Sequence, residues 1–323
     1  MLTRPLMAAA AAIVVVSAAP SALAQTRENT TTNNQRNWAE TRAALNANIR
    51  SVTDDASMTA AAIGNSFTAS LGGTSTVSNT QNVTAPVKAT LAVNAQDAFG
   101  SLTAMAAAIG NSASVVIDET QGVNPASRGS VVNNNQWFNT NVKADLLLTG
   151  GNISPGNPDL GIDATAVAIA NSLSVDAKGD LSADNLQRFW GDAQSNLTVD
   201  MHDVTGASNL MSAAVANSAS YNVTDSSRFS LNNRQWSYYD PTAVSDIRLN
   251  DVSGDITSTT AAISNSLSVT TLPGSAMLTV TSDQQNGAGT FAFSDLNLGD
   301  VAGNVTATAA AIGNSVSISN LPE

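Results

Sequence analysis

Apolar and small polar residues alternate along most of this chain, in runs bounded by Gly, Asp and Asn. One run recurs six times with an Asn-Ser pair at its centre, as in AAAIGNSFTA at Ala60–Ala69. The six central asparagines are Asn65, Asn111, Asn171, Asn217, Asn265 and Asn314. Alternation with a period of two predicts a β-strand. Recurrence every 46 to 60 residues predicts a repeat protein.

The Ala-rich start of each run could instead open a helix, because Ala has the highest helix propensity. The Asn-Ser pair and the alternation after it do not continue a helix well, and the Ala-rich stretch is too short to be stable alone. We therefore expect a strand with Ile63, Asn65 and Phe67 on one face. The other face then carries only small residues, namely Ala62, Gly64, Ser66 and Thr68.

A polar Asn/Gln cluster precedes each Asn-Ser run, as in NNQRNW at Asn33–Trp38. Its glutamines are Gln35, Gln81, Gln136, Gln187, Gln235 and Gln284. Each Gln precedes its Asn by 30 residues except in the third repeat. There Gly150–Gly161, rich in Gly and Pro, predicts a surface insertion. The distance from each Asn to the next Gln varies, which predicts one connection of variable length.

A second alternating run lies between these two elements, as at Ala89, Leu91 and Val93. Four copies are followed by an Asp-apolar-x-Gly turn: Asp97–Gly100, Asp203–Gly206, Asp251–Gly254 and Asp300–Gly303. Gly supplies the positive φ of such turns, and Asp bonds its own downstream backbone. A row of calcium ligands or acid/base groups is the less favoured interpretation of these aspartates.

An Asn on an apolar face is costly unless its amide is hydrogen-bonded. Stacked repeats about 4.8 Å apart solve this problem, because each side-chain amide bonds to the same residue in the next repeat. We expect such a ladder at the six central asparagines and a similar row at the glutamines. The sequence thus predicts an all-β fold, a parallel β-helix-like solenoid of six repeats over residues 25–323. The number of strands in a repeat stays open.

Composition narrows the possible functions. The net charge is −12 and the 13 Lys and Arg residues form no cluster, which argues against nucleic acid as a partner. The chain has no Cys, which excludes disulfides and thiolate metal sites. His202 is the single histidine, and no phosphate loop, paired-carboxylate motif or metal-ligand cluster stands out. We expect a protein without catalytic residues, metal or cofactor.

The first 24 residues read as a signal peptide. Arg4 is followed by the apolar run Met7–Val16 and by Ala22-Leu23-Ala24, a small-x-small cleavage site that predicts a mature start at Gln25. The apolar run is too short to span a bilayer, and polar sequence follows it, so a membrane anchor is less favoured. We expect export to the outer surface or beyond, with the periplasm a less favoured destination.

Aromatic residues gather beside the marker glutamines. This set contains Trp38, Trp137, Phe138, Phe189, Trp190, Trp236, Tyr238 and Tyr239. Such a stripe is either a packed corner of the solenoid or a binding surface, on which aromatic faces stack against sugar rings or a partner protein.

The signal peptide and the Ser/Asn/Gln/Ala-rich β-repeats between Asn33 and Ile318 resemble secreted bacterial surface proteins of the curli and holdfast-anchoring kind. The AIGNS element takes the place of the fixed Gln and Asn positions of curli units, and holdfast-anchoring proteins are the nearer match. This resemblance implies an assembly at the outer surface that ties the cell to an adhesive polysaccharide. No functional residue is carried over from it.

The expected function is therefore that of a non-enzymatic surface protein that self-associates or anchors a polysaccharide, with outer-membrane anchor proteins as further partners. The alternative is a carbohydrate-binding or carbohydrate-active β-helix protein with the aromatic stripe as its platform. A lyase would need Asp clustered with Lys or Arg, which the sequence does not show. An ice-binding solenoid is disfavoured because the Thr columns are irregular.

Overall fold

Every regular element in the described part of the chain is a β-strand. The structure is a computed structural model that describes residues 28–119, 129–154, 161–272 and 277–320. The expected signal peptide lies outside these residues, as do residues 155–160 of the expected insertion. The described residues contain no helix able to cross a membrane.

Eighteen strands form three parallel sheets of six strands each. The first nine strands are β1 (Asn29–Asn37), β2 (Thr41–Val52), β3 (Ala56–Gly72), β4 (Ser75–Val83), β5 (Val87–Ala98), β6 (Leu102–Asp118), β7 (Ser130–Phe138), β8 (Val142–Ile153) and β9 (Ile162–Lys178). The other nine are β10 (Leu181–Phe189), β11 (Ala193–Thr205), β12 (Ser208–Thr224), β13 (Arg228–Ser237), β14 (Pro241–Ser253), β15 (Ile256–Leu272), β16 (Met277–Asn286), β17 (Phe291–Val301) and β18 (Val305–Asn320).

Each repeat is one rung of three strands. Sheet A stacks β1, β4, β7, β10, β13 and β16, which carry the marker glutamines. Sheet B stacks the second strand of each rung, from β2 to β17, and sheet C stacks the third, from β3 to β18. Each strand pairs with its equivalent in the neighbouring rung, and the pairing places Gln on Gln and Asn on Asn. The predicted six-repeat β-solenoid is confirmed, and the Ala-rich segments are strands.

Sheet B supplies the most regular part of the apolar interior. Its inward residues Ala89, Leu91 and Val93 are buried, as are Leu146 and Leu148 in the next rung. They pack with the first half of each sheet C strand in one continuous apolar cluster. The buried positions are thus the apolar residues of the second alternating run.

Sheet C departs from simple alternation in every rung. Its register pairs Ile63 with Ile109 and Asn65 with Asn111 but leaves out the residue between them, which marks a bulge. In the third rung, Ala170 and Asn171 are consecutive and both fully buried. The expectation that Ile63 shares a face with Asn65 was wrong, because the bulge inverts the alternation and turns the Ile row outward.

The bulge bends sheet C towards sheet A. A Cβ atom at Gly110 would lie 2.3 Å from the ring of Phe138 in sheet A, which explains why only Gly, Ala or Ser precedes the central Asn. The approach divides the interior into two apolar columns. One lies between sheet B and the first half of sheet C, and the other between the second half of sheet C and the start of sheet A.

The Asp-apolar-x-Gly turns join sheet B to sheet C. The Asp has the left-handed conformation, with φ of 57° at Asp97 and 54° at Asp251. Asp tolerates this region better than most residues do. The assignment of positive φ to the Gly was wrong in most copies. A Cβ at Gly254 would lie 2.2 Å from the carbonyl oxygen of Gly206, so Gly is needed there for close stacking.

Loops of variable length lie at two corners. Between sheets B and C, residues 154–161 separate β8 from β9, where residues 99–101 suffice in the second rung. The predicted insertion therefore sits at this corner, although residues 155–160 lie outside the described part. Between sheets C and A the connection ranges from residues 73–74 to residues 119–129, as the variable Asn-to-Gln spacing predicted.

Candidate functional site

The six central asparagines form a continuous ladder through the interior. Asn65 Nδ2 donates to Asn111 Oδ1 at 3.0 Å, and Asn111 Nδ2 donates to Asn171 Oδ1 at 2.9 Å. The same bond then links each remaining pair as far as Asn314. All these bonds point from the earlier rung to the later one. The predicted Asn ladder is confirmed.

The second amide hydrogen of each ladder Asn joins sheet C to sheet A. Asn65 Nδ2 donates to the carbonyl oxygen of Asn82 at 3.1 Å, and Asn171 Nδ2 donates to that of Arg188 at 2.9 Å. Each acceptor belongs to the sheet A strand of the next rung. The ladder therefore bonds neighbouring rungs through both side chain and backbone.

The marker glutamines form a second ladder of opposite direction. Gln81 Nε2 donates to Gln35 Oε1 at 2.8 Å, and Gln136 Nε2 donates to Gln81 Oε1 at 2.9 Å. Its other hydrogen reaches sheet C, where Gln81 Nε2 lies 3.0 Å from the carbonyl oxygen of Ser112. That serine follows the ladder Asn of the same rung. The same bond forms in the third rung, from Gln136 Nε2 to the carbonyl oxygen of Ser172 at 2.8 Å, although the spacing is longer there. These residues therefore meet inside each rung whatever the length of the loop between sheets B and C.

A third ladder lies two residues before the glutamines and was missed by the sequence analysis. Asn33 Nδ2 donates to Asn79 Oδ1 at 2.7 Å, and the series continues through Asn134, Asn185 and Asn233. It ends on Ser282 Oγ at 3.1 Å. The available signal was the Asn that stands at this position in five repeats. We call these three ladders together the polar seam.

The polar seam has little capacity for binding or chemistry. Asn111, Asn171 and Asn217 are fully buried, and each uses its amide oxygen and both amide hydrogens within the seam. A buried amide with all its bonds made is a structural element. These three residues therefore have no free amide group to offer a ligand.

The aromatic stripe is divided between the two sides of sheet A. Phe138 and Phe189 point inward, are fully buried, and stack with ring centroids 6.0 Å apart. They belong to the apolar core beside the bulge. These two residues are therefore corrected from the candidate binding surface to the interior.

The remaining aromatics concentrate on the outer face of the third to fifth rungs. Trp137, Arg188 and Trp236 occupy one register position in successive strands, and the Arg188 guanidinium carbon lies 5.0 Å from the Trp236 ring centroid. Trp190 and Tyr238 are adjacent at the following turn, with centroids 4.7 Å apart. The aromatic patch, as we call it, consists of Trp137, Arg188, Trp190, Trp236, Tyr238 and Tyr239.

Trp38 is not part of this patch. It lies at the first rung and is 71% exposed. The second rung has Asn82 and Thr84 where later rungs carry aromatic side chains. The stripe expected from the sequence is thus one cluster and one separate Trp.

Asp180 lies at the corner between sheets C and A, and His202 lies near the end of a sheet B strand. Partial burial disfavours ionisation of Asp180, but hydrogen bonds from Arg228 N and from Ser227 outweigh it and hold the pKa of Asp180 below its usual value. His202 is exposed and lies 2.8 Å from Asp203. No group of three or more His, Cys, Asp or Glu among the described residues could hold a metal ion.

Comparison with known families identifies the chain. The family model of HfaD, Holdfast attachment protein D, matches residues 8–128 and 120–321. No curated protein and no solved structure gives a significant match. The match confirms the resemblance to holdfast-anchoring proteins. Because these matches span nearly the whole chain, this protein belongs to the Holdfast attachment protein D family.

Proposed function

We propose that this protein is an exported, non-enzymatic anchor that holds an adhesive polysaccharide at the bacterial cell surface through the aromatic patch. Membership of the holdfast attachment family supports a role in holdfast attachment and a place at the cell surface. The observation that carries the polysaccharide contact is the clustering of exposed aromatic side chains on three successive rungs.

The chemistry of the patch suits a sugar polymer. Trp137 and Trp190 are 40% and 44% exposed, although large aromatic side chains usually lose most of their surface to the core. Flat apolar faces can cover the C–H faces of sugar rings, while the Arg188 guanidinium can bond hydroxyl groups.

The seam beneath the patch suits an anchor under load. Strand pairing and the three ladders fix each patch residue at one register position. Both ladder types bond every rung to its neighbours, so a pull on one rung is shared by the stack. This rigid support keeps the aromatic faces in place, which lowers the entropic cost of binding.

Binding of the purified protein to isolated holdfast polysaccharide tests this role. The double variant Trp137→Ala, Trp236→Ala should bind at least about tenfold more weakly, since each lost stacking contact is worth about 1 kcal/mol or more. Trp38→Ala is the matched control, because it removes an exposed Trp outside the patch and should leave binding unchanged. Unchanged binding by a folded double variant would overturn the patch as the contact site.

A further inference from the structure

The first and last rungs of the stack have equivalent strands in the same register. Strands β1 to β3 and β16 to β18 correspond residue by residue along the register. Gln35 corresponds to Gln284 and Asn65 to Asn314, with the same separation in residue number for both pairs. Neither rung contains an insertion between its strands.

Both end rungs expose apolar side chains whose equivalents in the neighbouring rungs are buried in the interior. Val316 and Ile318 are 47% and 48% exposed, whereas the equivalent Leu267 and Val269 in the preceding rung are buried. At the other end Leu45 is 36% exposed, and its neighbours in the sheet B stack are buried. These side chains are exposed because no described rung covers them.

The ladders also end in complementary groups. At the last rung, Asn314 Nδ2 donates to the carbonyl oxygen of Gln284 in its own rung at 3.2 Å, where the other ladder asparagines reach the next rung. Gln284 Oε1 receives no hydrogen bond from the described residues. At the first rung, Asn65 Oδ1 likewise accepts none from them, and Gln35 Nε2 has only the Ser66 carbonyl as acceptor.

We infer that copies of this protein stack head to tail, with the last rung of one copy on the first rung of the next. Asn314 would then donate to Asn65 Oδ1 of the next copy, and Gln35 of that copy would donate to Gln284 Oε1. Both ladders continue without a change of direction, and the two exposed strand edges pair in parallel. A contact of this type does not close on itself, so it generates filaments.

Charge disfavours contact between two last rungs. The charged side chains of the last described rung are Asp283, Asp295 and Asp300, all acidic, whereas the first rung carries Arg36, Arg42 and Arg50 in its strands and Glu28, Glu40, Asp54 and Asp55 outside them. Contact between two last rungs would oppose only like charges and, in register, would place Gln284 Oε1 against Gln284 Oε1. The inference deepens the proposed anchoring role, because a filament repeats the aromatic patch along its length.

Sedimentation velocity on the purified full chain over a wide concentration range tests the stacking. The wild-type protein should form species that lengthen with concentration. Leu45→Lys and Val316→Lys each place a charge on one end face, a known way to block edge pairing, and each variant alone should stay monomeric. Phe293→Lys, on the outer face of the last rung, is the matched control and should still assemble.

Mixing the two blocked variants distinguishes the orientations. Each retains one free end, and the free ends differ, so an equimolar mixture should form dimers and nothing longer. Monomeric wild-type protein, or dimers of either blocked variant alone, would overturn head-to-tail stacking. If Val316→Lys fails to fold, Asn314→Asp, which removes the amide donor at the same end, replaces it.

Polysaccharide binding by monomeric Leu45→Lys separates this inference from the anchoring role. Binding equal to that of the wild type per protomer would leave the aromatic patch intact even where stacking is lost. Loss of binding by the patch variant in a protein that still forms filaments would leave the stacking intact.

Discussion

The polar seam and the apolar column of sheet B lie side by side in the same interior, yet they tolerate variation very differently. Asn occupies the central ladder position in all six rungs, and Gln occupies its own. One sheet B position carries, in rung order, Ile49, Ala95, Gly150, Met201, Leu249 and Leu298. Two of the three ladders of the seam keep the same residue in every rung, whereas the column keeps only apolar character.

The difference follows from directionality. A buried side-chain amide needs a partner of defined geometry at hydrogen-bond distance, and an identical group one rung away supplies it, as with Asn171 and Asn217 at 2.8 Å. Apolar contacts need volume and exclusion of water, which many side chains provide. Where a polar residue occupies the sheet B column, it has a hydrogen-bond partner nearby. Ser245 of sheet B is an example, since Thr260 Oγ1 of sheet C donates to Ser245 Oγ at 2.7 Å.

The largest effect is expected from breaking the seam at its centre. Asn171→Leu keeps the number and branching of the side-chain heavy atoms but removes the partners of Asn111 Nδ2, Asn217 Oδ1 and the Arg188 carbonyl. Three buried polar groups lose their bonds, so the free energy of unfolding should fall by roughly 3–6 kcal/mol. Chemical denaturation followed by circular dichroism measures this loss.

Leu173→Met is the matched control for that variant, because it lies two residues further along the same strand and faces the apolar interior. A volume-conserving apolar exchange should cost less than about 1.5 kcal/mol. Equal losses for the two variants would remove the distinction between directional and non-directional packing.

The second-largest effect is expected from truncating a side chain in the apolar column of sheet B. Leu148→Ala should lower the free energy of unfolding by about 2–4 kcal/mol, since Leu148 is fully buried and the truncation leaves a cavity. Leu147→Ala is the control. Its side chain is 44% exposed on the outer face of the same strand, and its removal should change stability by about 0.5 kcal/mol or less. A cost at Leu147 as large as that at Leu148 would contradict the assigned faces.

The smallest effect is expected at Tyr221, a buried residue outside the polar seam. Tyr221 is buried in the second apolar column, and its hydroxyl has no hydrogen-bond partner among the described residues. Burial, with a smaller contribution from the Asp184 charge, raises the pKa of Tyr221. Tyr221→Phe removes an unsatisfied buried group, so stability should rise by about 1 kcal/mol.

Thermal melts of Tyr221→Phe can be compared with those of Tyr239→Phe, whose ring is 51% exposed and whose melting temperature should not move. A lower melting temperature for Tyr221→Phe would show that the hydroxyl makes a stabilising bond, against the assignment made here.

Much of the fold could be predicted because the central Asn and the marker Gln recur in every repeat. Asn65 and Gln35 recur at a fixed spacing, and that recurrence predicted the six rungs, the Asn ladder and the variable corner. The Asn33 ladder was missed because one Asn among many in an Asn-rich cluster gives a weak signal. The outward turn of Ile63 was also missed, since a bulge adds a residue without changing the composition of the strand.

The candidate site was only partly predictable for a related reason. The sequence located the aromatic residues at one level of the repeat, but Phe138 and Trp137 are neighbours in the chain and lie on opposite sides of the sheet. Which of two neighbouring residues points inward depends on register against the adjoining strands. That information resides in no single segment.

The sequence by itself determined that the chain contains six repeats with identical polar side chains at equivalent positions. It also determined that the repeats stack, because stacking satisfies such polar groups in an interior. Tertiary structure alone decided that a rung has three strands, that sheet C bends against sheet A, and that the aromatics divide between core and surface. These features depend on how three sheets meet around a shared interior. Periodicity constrains contacts along the stack, whereas the geometry across it arises from packing between residues far apart in the chain.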